Sequence, residues 1–325
     1  MQEKLNKKFP KNKGERMCYM KKYVSDYLNK GVKGHFNYDF VDVIVNDDNL
    51  LFIDPMLIET SDDQWSKEAK LTIQSFFDSF FEAYSEKNDL RKSDLLSHAG
   101  EQNGTRLGYG RGDNGKGNTV KGLLDIFTPL ENLIHEISTM RKAEDLPVLI
   151  PDFAEDGMSD LLTNILHDLL NTFTLQQMRK YDVQSNGDVC FWSWDREHSR
   201  WVQVEKPTFY IGNQELLLVP KQIVRKNYLF STSQYFNRII LERMREDGGY
   251  MDGGKPIPKK DVVKAKRFSG EHWQYDESVS YTKNNNDALD EYHKKLPMFY
   301  FENGNSMPDD ELDELVYGYP VSKTA

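Results

Sequence analysis

Cysteine is nearly absent from this 325-residue chain, which carries only Cys18 and Cys190. Two thiols are too few for a disulfide scaffold or a cysteine-rich zinc site. Cys190 falls in an apolar run and reads as an inert core thiol. Long hydrophobic runs are missing as well. No stretch approaches the ~18 apolar residues of a membrane-spanning helix, so no membrane association is expected. The opening residues, Met1 to Lys8, hold no apolar core of a secretory signal, and the expectation is a cytoplasmic protein. His98, His135, His167 and His198 stand in no H-E-x-x-H or C-x-x-C context, which argues against zinc chemistry. No G-x-S-x-G elbow marks a serine hydrolase. Positive charge is in deficit: 42 Lys and Arg face 52 Asp and Glu, for a net charge of -10. That balance disfavours passive binding to nucleic acid, which depends on neutralising phosphates.

What is present suffices for a substantial core. Hydrophobic residues make up 38% and aromatics 12% of the chain, so one large domain or two ordinary ones can form. Basic residues gather in two runs, over residues 1–33 and 255–267, while 309–314 is acidic. Each basic run is either a solvated face or a phosphate contact. The pattern divides into a basic N-terminal segment over 1–38, an α/β core over 39–247 and a polar, irregular C-terminal extension over 248–325. Strands are expected at Val41–Val45 and Leu50–Ile53, split by the turn 46–49. A helix is expected from Trp65 to Tyr84, burying Leu71, Phe76, Phe77, Phe80 and Phe81. A second helix, over Val120–Met140, is interrupted near Pro129. A strand at Leu146–Ile150 then feeds a helix from about Met158 to Tyr181. Residues 188–220 alternate with period two and read as an antiparallel meander, and Gln234–Glu246 reads as another helix. The expected class is mixed α/β, or α+β: a central mixed sheet with flanking helices, of nuclease-like character.

The junction at 153–164 concentrates the chemistry. Asp156, Asp160 and Asn164 are spaced by four and share one helical face. Leu161, Leu162, Ile165, Leu166, Leu169 and Leu170 take the opposite face. Two carboxylates so placed suit Mg²⁺ or Mn²⁺, which bind a few carboxylate oxygens together with water. The plainer reading makes Asp156 an N-cap and Asp160 a favourable first-turn charge. Glu101 and Glu144 stand at predicted loop and strand edges and are candidate further ligands; Asp54 has a similar position. A glycine-rich stretch precedes the helix at Val120. Within it Arg106, Gly108, Gly110, Arg111, Gly115, Lys116 and Gly117 are candidate phosphate contacts, because bare backbone N–H groups before a helix attract anions. Gly110 to Lys116 fits G-x-x-x-x-G-K, but Gly117 stands where a nucleotide P-loop has Ser or Thr, and no apolar strand leads in. An anion-contacting loop and a plain surface loop both remain open. Lys221, just past the apolar run Leu216–Val219, is either a solvent-facing Lys or a catalytic cation that steadies a phosphoryl transition state.

Several of these features occur in a fixed order: Phe52-Ile53-Asp54-Pro55, Glu101 before Leu107-Gly108-Tyr109, Gly115-x-Gly117, Glu144, Asp156…Ser159-Asp160…Thr163-Asn164, and Leu218-Val219-Pro220-Lys221. In this order the chain resembles a group of uncharacterised bacterial and phage-related proteins associated with mobile and defence loci. The resemblance covers roughly residues 40–225. Lys116 within the glycine loop and the polar C-terminal part depart from it. A defence setting implies, by analogy, nucleic-acid cleavage. The leading expectation is a hydrolase: a Mg²⁺-dependent nuclease, an endonuclease of antiviral defence. Asp156, Asp160 and Glu144 would act with Glu101 as metal ligands, Lys221 would steady phosphate, and the glycine loop would hold the nucleic-acid backbone. The alternatives are a non-catalytic sensor or regulatory subunit that binds a protein partner from the same locus or a nucleotide, and a nucleotide hydrolase or nucleotidyl-transfer enzyme. The absence of an E-x-K or D-x-K strand signature counts against the nuclease.

Overall fold

A computed structural model describes residues 20–109, 119–247 and 250–321, apart from 253, 267 and 269. Helices dominate it. Asp54 opens α1 (Pro55–Thr60) by accepting the Met56 N–H, with Pro55 at the first helical position, where the missing N–H costs nothing. Asp63 caps α2 (Gln64–Ser85) in the same manner. Phe76, Phe77, Phe80 and Phe81 bury the inner face of α2, and their rings pack against one another, Phe127, Trp194 and Trp201. Leu71 is not part of that face. It is 50% exposed, because it lies off the stripe that the phenylalanines define. Asn88 caps α3 (Asp89–Leu96) and Thr119 caps α4 (Val120–Phe127). Pro129 separates α4 from α5 (Leu130–Glu136), as its missing N–H requires.

The expected strand over 146–150 is instead a short helix, α6 (Asp145–Leu149). A five-residue apolar run carries no period of its own. The helix is selected by Asp145, whose carboxylate accepts the N–H groups of Arg141 and Lys142 at 2.8 Å each, and Pro147 is tolerated in a first turn. Next come α7 (Glu155–Ile165) and α8 (His167–Lys180), two helices meeting at Leu166 rather than one continuous helix from 158 to 181.

Strand structure is limited to four two-stranded antiparallel sheets among the described residues, not one central mixed sheet. The class is therefore α+β. Strand β1 (Phe52–Ile53) pairs with β6 (Val224–Arg225), while β2 (Gly187–Asp195) and β3 (Arg200–Thr208) form the long hairpin in the register Trp194↔Trp201. β4 (Tyr210–Ile211) and β5 (Gln214–Glu215) form a separate hairpin. The expected meander is thus two hairpins followed by Leu216–Val219, which is fully buried but in no strand. Its N–H groups go to the Phe209 carbonyl, the Gly104 carbonyl and the Thr174 hydroxyl in turn. Val41–Val45 likewise lies outside the named strands, with one isolated bridge, Tyr23↔Ile44, on it. Period two on β2 turns Cys190 outward, so this thiol is exposed and not core.

Beyond β6, α9 (Thr232–Tyr235) runs through a π-helical turn at Phe236–Ile240 into α10 (Leu241–Asp247). After the small hairpin β7 (Met251–Asp252) and β8 (Lys255–Pro256), the chain is helical rather than irregular. It forms α11 (Lys259–Lys266), α12 (Trp273–Asn284), α13 (Asp287–Glu302) and α14 (Asp309–Tyr317). Ala288, Leu289, Tyr292, Leu296 and Tyr300 of α13 are buried, as are Leu312 and Val316 of α14. Their spacing of three and four is an amphipathic stripe that the surrounding charges obscure.

Candidate functional site

Asn49 builds the floor of the site. It is 4% exposed. Its side-chain oxygen accepts the Ile44 N–H at 2.9 Å, and its amide donates to the carbonyls of Ile44 and Arg106. Its backbone donates to the Arg106 carbonyl and accepts the Gly108 N–H at 3.0 Å. The turn 46–49 and the segment 106–108 are thereby fastened side by side, and Asp48 and Tyr109 arrive together at the start of α7.

The residue at 108 must be glycine. Its φ of 139° strains any side-chain-bearing residue, and a Cβ there would stand 2.9 Å from Asp156 Oδ1, so the carboxylate would have to move away. Asp156 lies within the first turn of α7, and the N-cap position belongs to Ala154, so Asp156 is not the cap. The backbone N–H of Tyr109 lies toward the Asp156 carboxylate and that of Gln102 toward Asp160, each favouring the charged form. One turn further on, Asn164 donates to the Gly100 carbonyl at 2.7 Å. The segment 100–102 therefore runs along the polar face of α7 and carries Glu101 to the two aspartates.

Burial and neighbouring acids dominate the electrostatics of Asp156 and Asp160. Burial pushes the Asp160 carboxyl up to about 8, and the charges of Asp156, Glu101 and Asp48 add to it. Asp156 is raised by burial and then by Glu101, Asp48 and Glu155. Glu155 accepts the Tyr109 hydroxyl at 3.2 Å. Among the described residues no Lys, Arg or His forms an ion pair with Asp156 or Asp160. Two carboxylates held near other acids and out of water are unfavourable in their charged forms. No group of three or more His, Cys, Asp or Glu that could hold a metal ion occurs among the described residues.

A cleft of about 210 Å³ adjoins the cluster through Glu101, Gln102 and Asn164. Its far wall is aromatic. His98 stacks on Trp192 with ring centroids 4.1 Å apart, and His167 stacks on Phe191 at 4.0 Å. Trp192 is 40% exposed, and His167 is anchored to Glu215 at 2.9 Å.

Of the residues singled out in the sequence, Asp156, Asp160, Glu101 and Gly108 come together. Glu144 does not join them. It is 7% exposed, and its charged neighbours are Lys142, Asp145 and His293. Lys221 also lies apart, donating to the His35 carbonyl at 2.8 Å and to Asp309 at 2.6 Å. Arg106 is 4% exposed with φ 59°, and its guanidinium donates to the carbonyls of Val45 and Asn103. It braces the turn rather than facing solvent. Gly110, Arg111, Gly115, Lys116 and Gly117 lie outside the described residues. Lys259, in the basic run 255–267, pairs with Glu242 at 2.7 Å. Sequence reasoning passed over Asp48, Asn49 and Gln102. The only signal for the first two was the Asn-Asp-Asp-Asn turn, and nothing local marked Gln102, which acts through its backbone N–H.

A family model described as a domain of unknown function, DUF8370, matches residues 31–231. No curated protein and no solved structure matches the chain. The chain belongs to the DUF8370 family, and the matched span holds the whole carboxylate cluster and the aromatic cleft.

Proposed function

We propose that this DUF8370 protein is a metal-dependent phosphodiesterase acting on nucleic acid, centred on Asp156 and Asp160 with Glu101 and Asp48 beside them. The observation that carries the reading is the convergence of these acids: burial and then the charges of Asp156, Glu101 and Asp48 raise Asp160, burial and then Glu101, Asp48 and Glu155 raise Asp156, and neither aspartate forms an ion pair among the described residues. Mg²⁺ is commonly held by one or two carboxylates together with substrate phosphates, not by a complete protein cage. Asp156 and Asp160 fit that two-carboxylate pattern, and they would hold the ion. Bound there, it would supply Lewis acidity at a phosphoryl oxygen and a lowered pKa for an attacking water. The protein's own part is to position the groups. Helix α7 presents Asp156 and Asp160 on one face, Gly108 lets the backbone close on Asp156, and the Trp192–His98 stack offers a flat surface to a base. The resemblance to proteins of mobile and defence loci adds anti-phage defence as the expected setting.

One observation favours a second reading, a non-catalytic sensor or regulatory subunit: no three-ligand metal group occurs among the described residues. The deciding experiment incubates the full chain with single- and double-stranded DNA and RNA in Mg²⁺, Mn²⁺ or EDTA, alongside Asp160→Asn. Cleavage that needs the metal and is lost in the variant is expected. Undiminished cleavage by Asp160→Asn would remove the centre from α7. No cleavage of any substrate would leave the sensor reading.

A further inference from the structure

Glu144, which stands apart from the carboxylate cluster, lines a different cavity. This space, of about 280 Å³, lies between α1, α2 and the turn 141–144. Pro55, Ile58, Ile73 and Phe77 give it apolar walls. Its volume falls just under the roughly 300–1,000 Å³ of drug-sized ligand sites, so it suits a smaller molecule.

The position of Glu144 has no structural explanation within its own helix. It occupies the N-cap position of α6, yet its side chain makes no cap hydrogen bond. It is 7% exposed and forms no ion pair among the described residues. Burial raises its pKa and outweighs its own backbone N–H and the charges of Lys142 and His293, which act the other way, since a buried carboxylate is costly unless fully paired. The other charges around the cavity largely cancel. Lys70 pairs with Glu59 at 2.9 Å, and Arg141 pairs with Asp290 at 3.2 Å. With Lys70 and Arg141 engaged in these pairs, Lys142 is the lining cation that forms no ion pair among the described residues, beside Asp78 and Glu144.

We infer that this cavity is a binding site for a small primary ammonium compound, its charged head on Glu144 and its short apolar body against Ile58, Ile73 and Phe77. The ammonium group brings Glu144 the directly ion-paired cation that it lacks among the described residues, and the aliphatic part displaces water from apolar walls. A free alkylamine and an α-amino acid share this chemistry, and an amino acid would also present a carboxylate to Lys142. The site is separate from the carboxylate cluster on α7 and stands or falls independently of the phosphodiesterase reading.

The test titrates the full chain with 3-methylbutylamine, with leucine and with 3-methylbutan-1-ol, by calorimetry and by thermal shift. Saturable binding of the amine or of leucine is expected, with the alcohol at least tenfold weaker. Tighter binding of leucine would identify the amino-acid source, and tighter binding of the amine the simple amine. Glu144→Gln should weaken binding at least tenfold, while Asp160→Asn should leave it unchanged. The inference fails if neither ammonium compound binds, if the alcohol binds as tightly as the amine, or if Glu144→Gln binds like the parent. The comparison of amine with alcohol uses the unaltered protein, so it decides the matter even if Glu144→Gln does not fold.

Discussion

Asp313 and Asp160 are both carboxylates withdrawn from solvent on helices, and their surroundings are opposite. Asp313 on α14 receives the backbone N–H of His35 at 2.9 Å, the His35 ring at 2.6 Å and the Val321 N–H at 3.1 Å. The far ring nitrogen of His35 accepts the Asp42 N–H, which places the imidazole proton on Nδ1, toward Asp313. Burial lowers the His35 pKa in spite of Asp313, in keeping with a neutral ring. Asp42 in turn accepts the Ser25 N–H and the Tyr317 hydroxyl. Asp54 takes the Tyr300 hydroxyl at 2.6 Å, and Asp145 pairs with His293. In each case a buried acid in the family domain, or a buried histidine facing one, fastens a C-terminal helix. Asp160 has a single backbone donor and three acidic neighbours. Satisfied acids hold the molecule together, while Asp156 and Asp160, which form no ion pair among the described residues, stand where a ligand could complete them.

The largest effect should come from breaking a satisfied acid. Asp313→Ala strips the partner from three donors, two of them on buried His35, and should cost about 3–5 kcal/mol. Urea unfolding with unchanged m would measure it. A loss under 1 kcal/mol would mean that α14 contributes little to the stability of the core.

Asp54 offers the next test, through pH. Burial raises its carboxyl to about 7, despite the hydrogen bonds from Tyr300 and Met56, while an unfolded Asp titrates near 3.9. A raised folded-state pKa means the contribution is complete below about 4 and is lost as pH climbs through 7. Asp54→Asn keeps the cap and a polar partner for Tyr300 but does not titrate. The parent should therefore lose stability relative to the variant between pH 4 and pH 8, read as a widening gap in Tm. A gap that is constant across this range would show that Asp54 stays ionised.

Asp160→Asn sharpens the contrast, because here a substitution should stabilise. Removing one member of an all-acid cluster relieves repulsion and desolvation. A gain on the order of 1 kcal/mol at pH 8 is expected, the scale seen when function is exchanged for stability. Melting below the parent would instead identify a structural carboxylate with a cation that the described residues do not include.

Legibility in the sequence followed the same division. The shared face of Asp156, Asp160 and Asn164 was readable because helical spacing is a local property. The Trp65–Tyr84 helix and the break at Pro129 were readable for the same reason. The Glu101 approach rests on two long-range backbone bonds, from Gln102 and to Gly100, that no local pattern encodes. Leu146–Ile150 was misread because five apolar residues fit a strand or a buried helix equally. The helices α12 to α14 were missed because their apolar stripes are diluted by charge. The polar contacts that fix α13 and α14, such as Tyr300 on Asp54 and Asp313 on His35, have partners some 250 to 280 residues away.

The smallest effect should follow from Lys221, once a candidate for catalysis. Its ammonium group bonds Asp309 and the His35 carbonyl at the start of α14, and both ionic partners are partly exposed. A pair of this kind contributes roughly 0–1 kcal/mol, so Lys221→Ala should lower stability by no more than that and should dull the salt sensitivity of unfolding. Lys221 is not among the charged groups acting on Asp156 or Asp160, so any phosphodiesterase activity should be unchanged. Activity lost in Lys221→Ala with Tm preserved would put Lys221 back in the chemistry and would require α14 to move away from it in the active state.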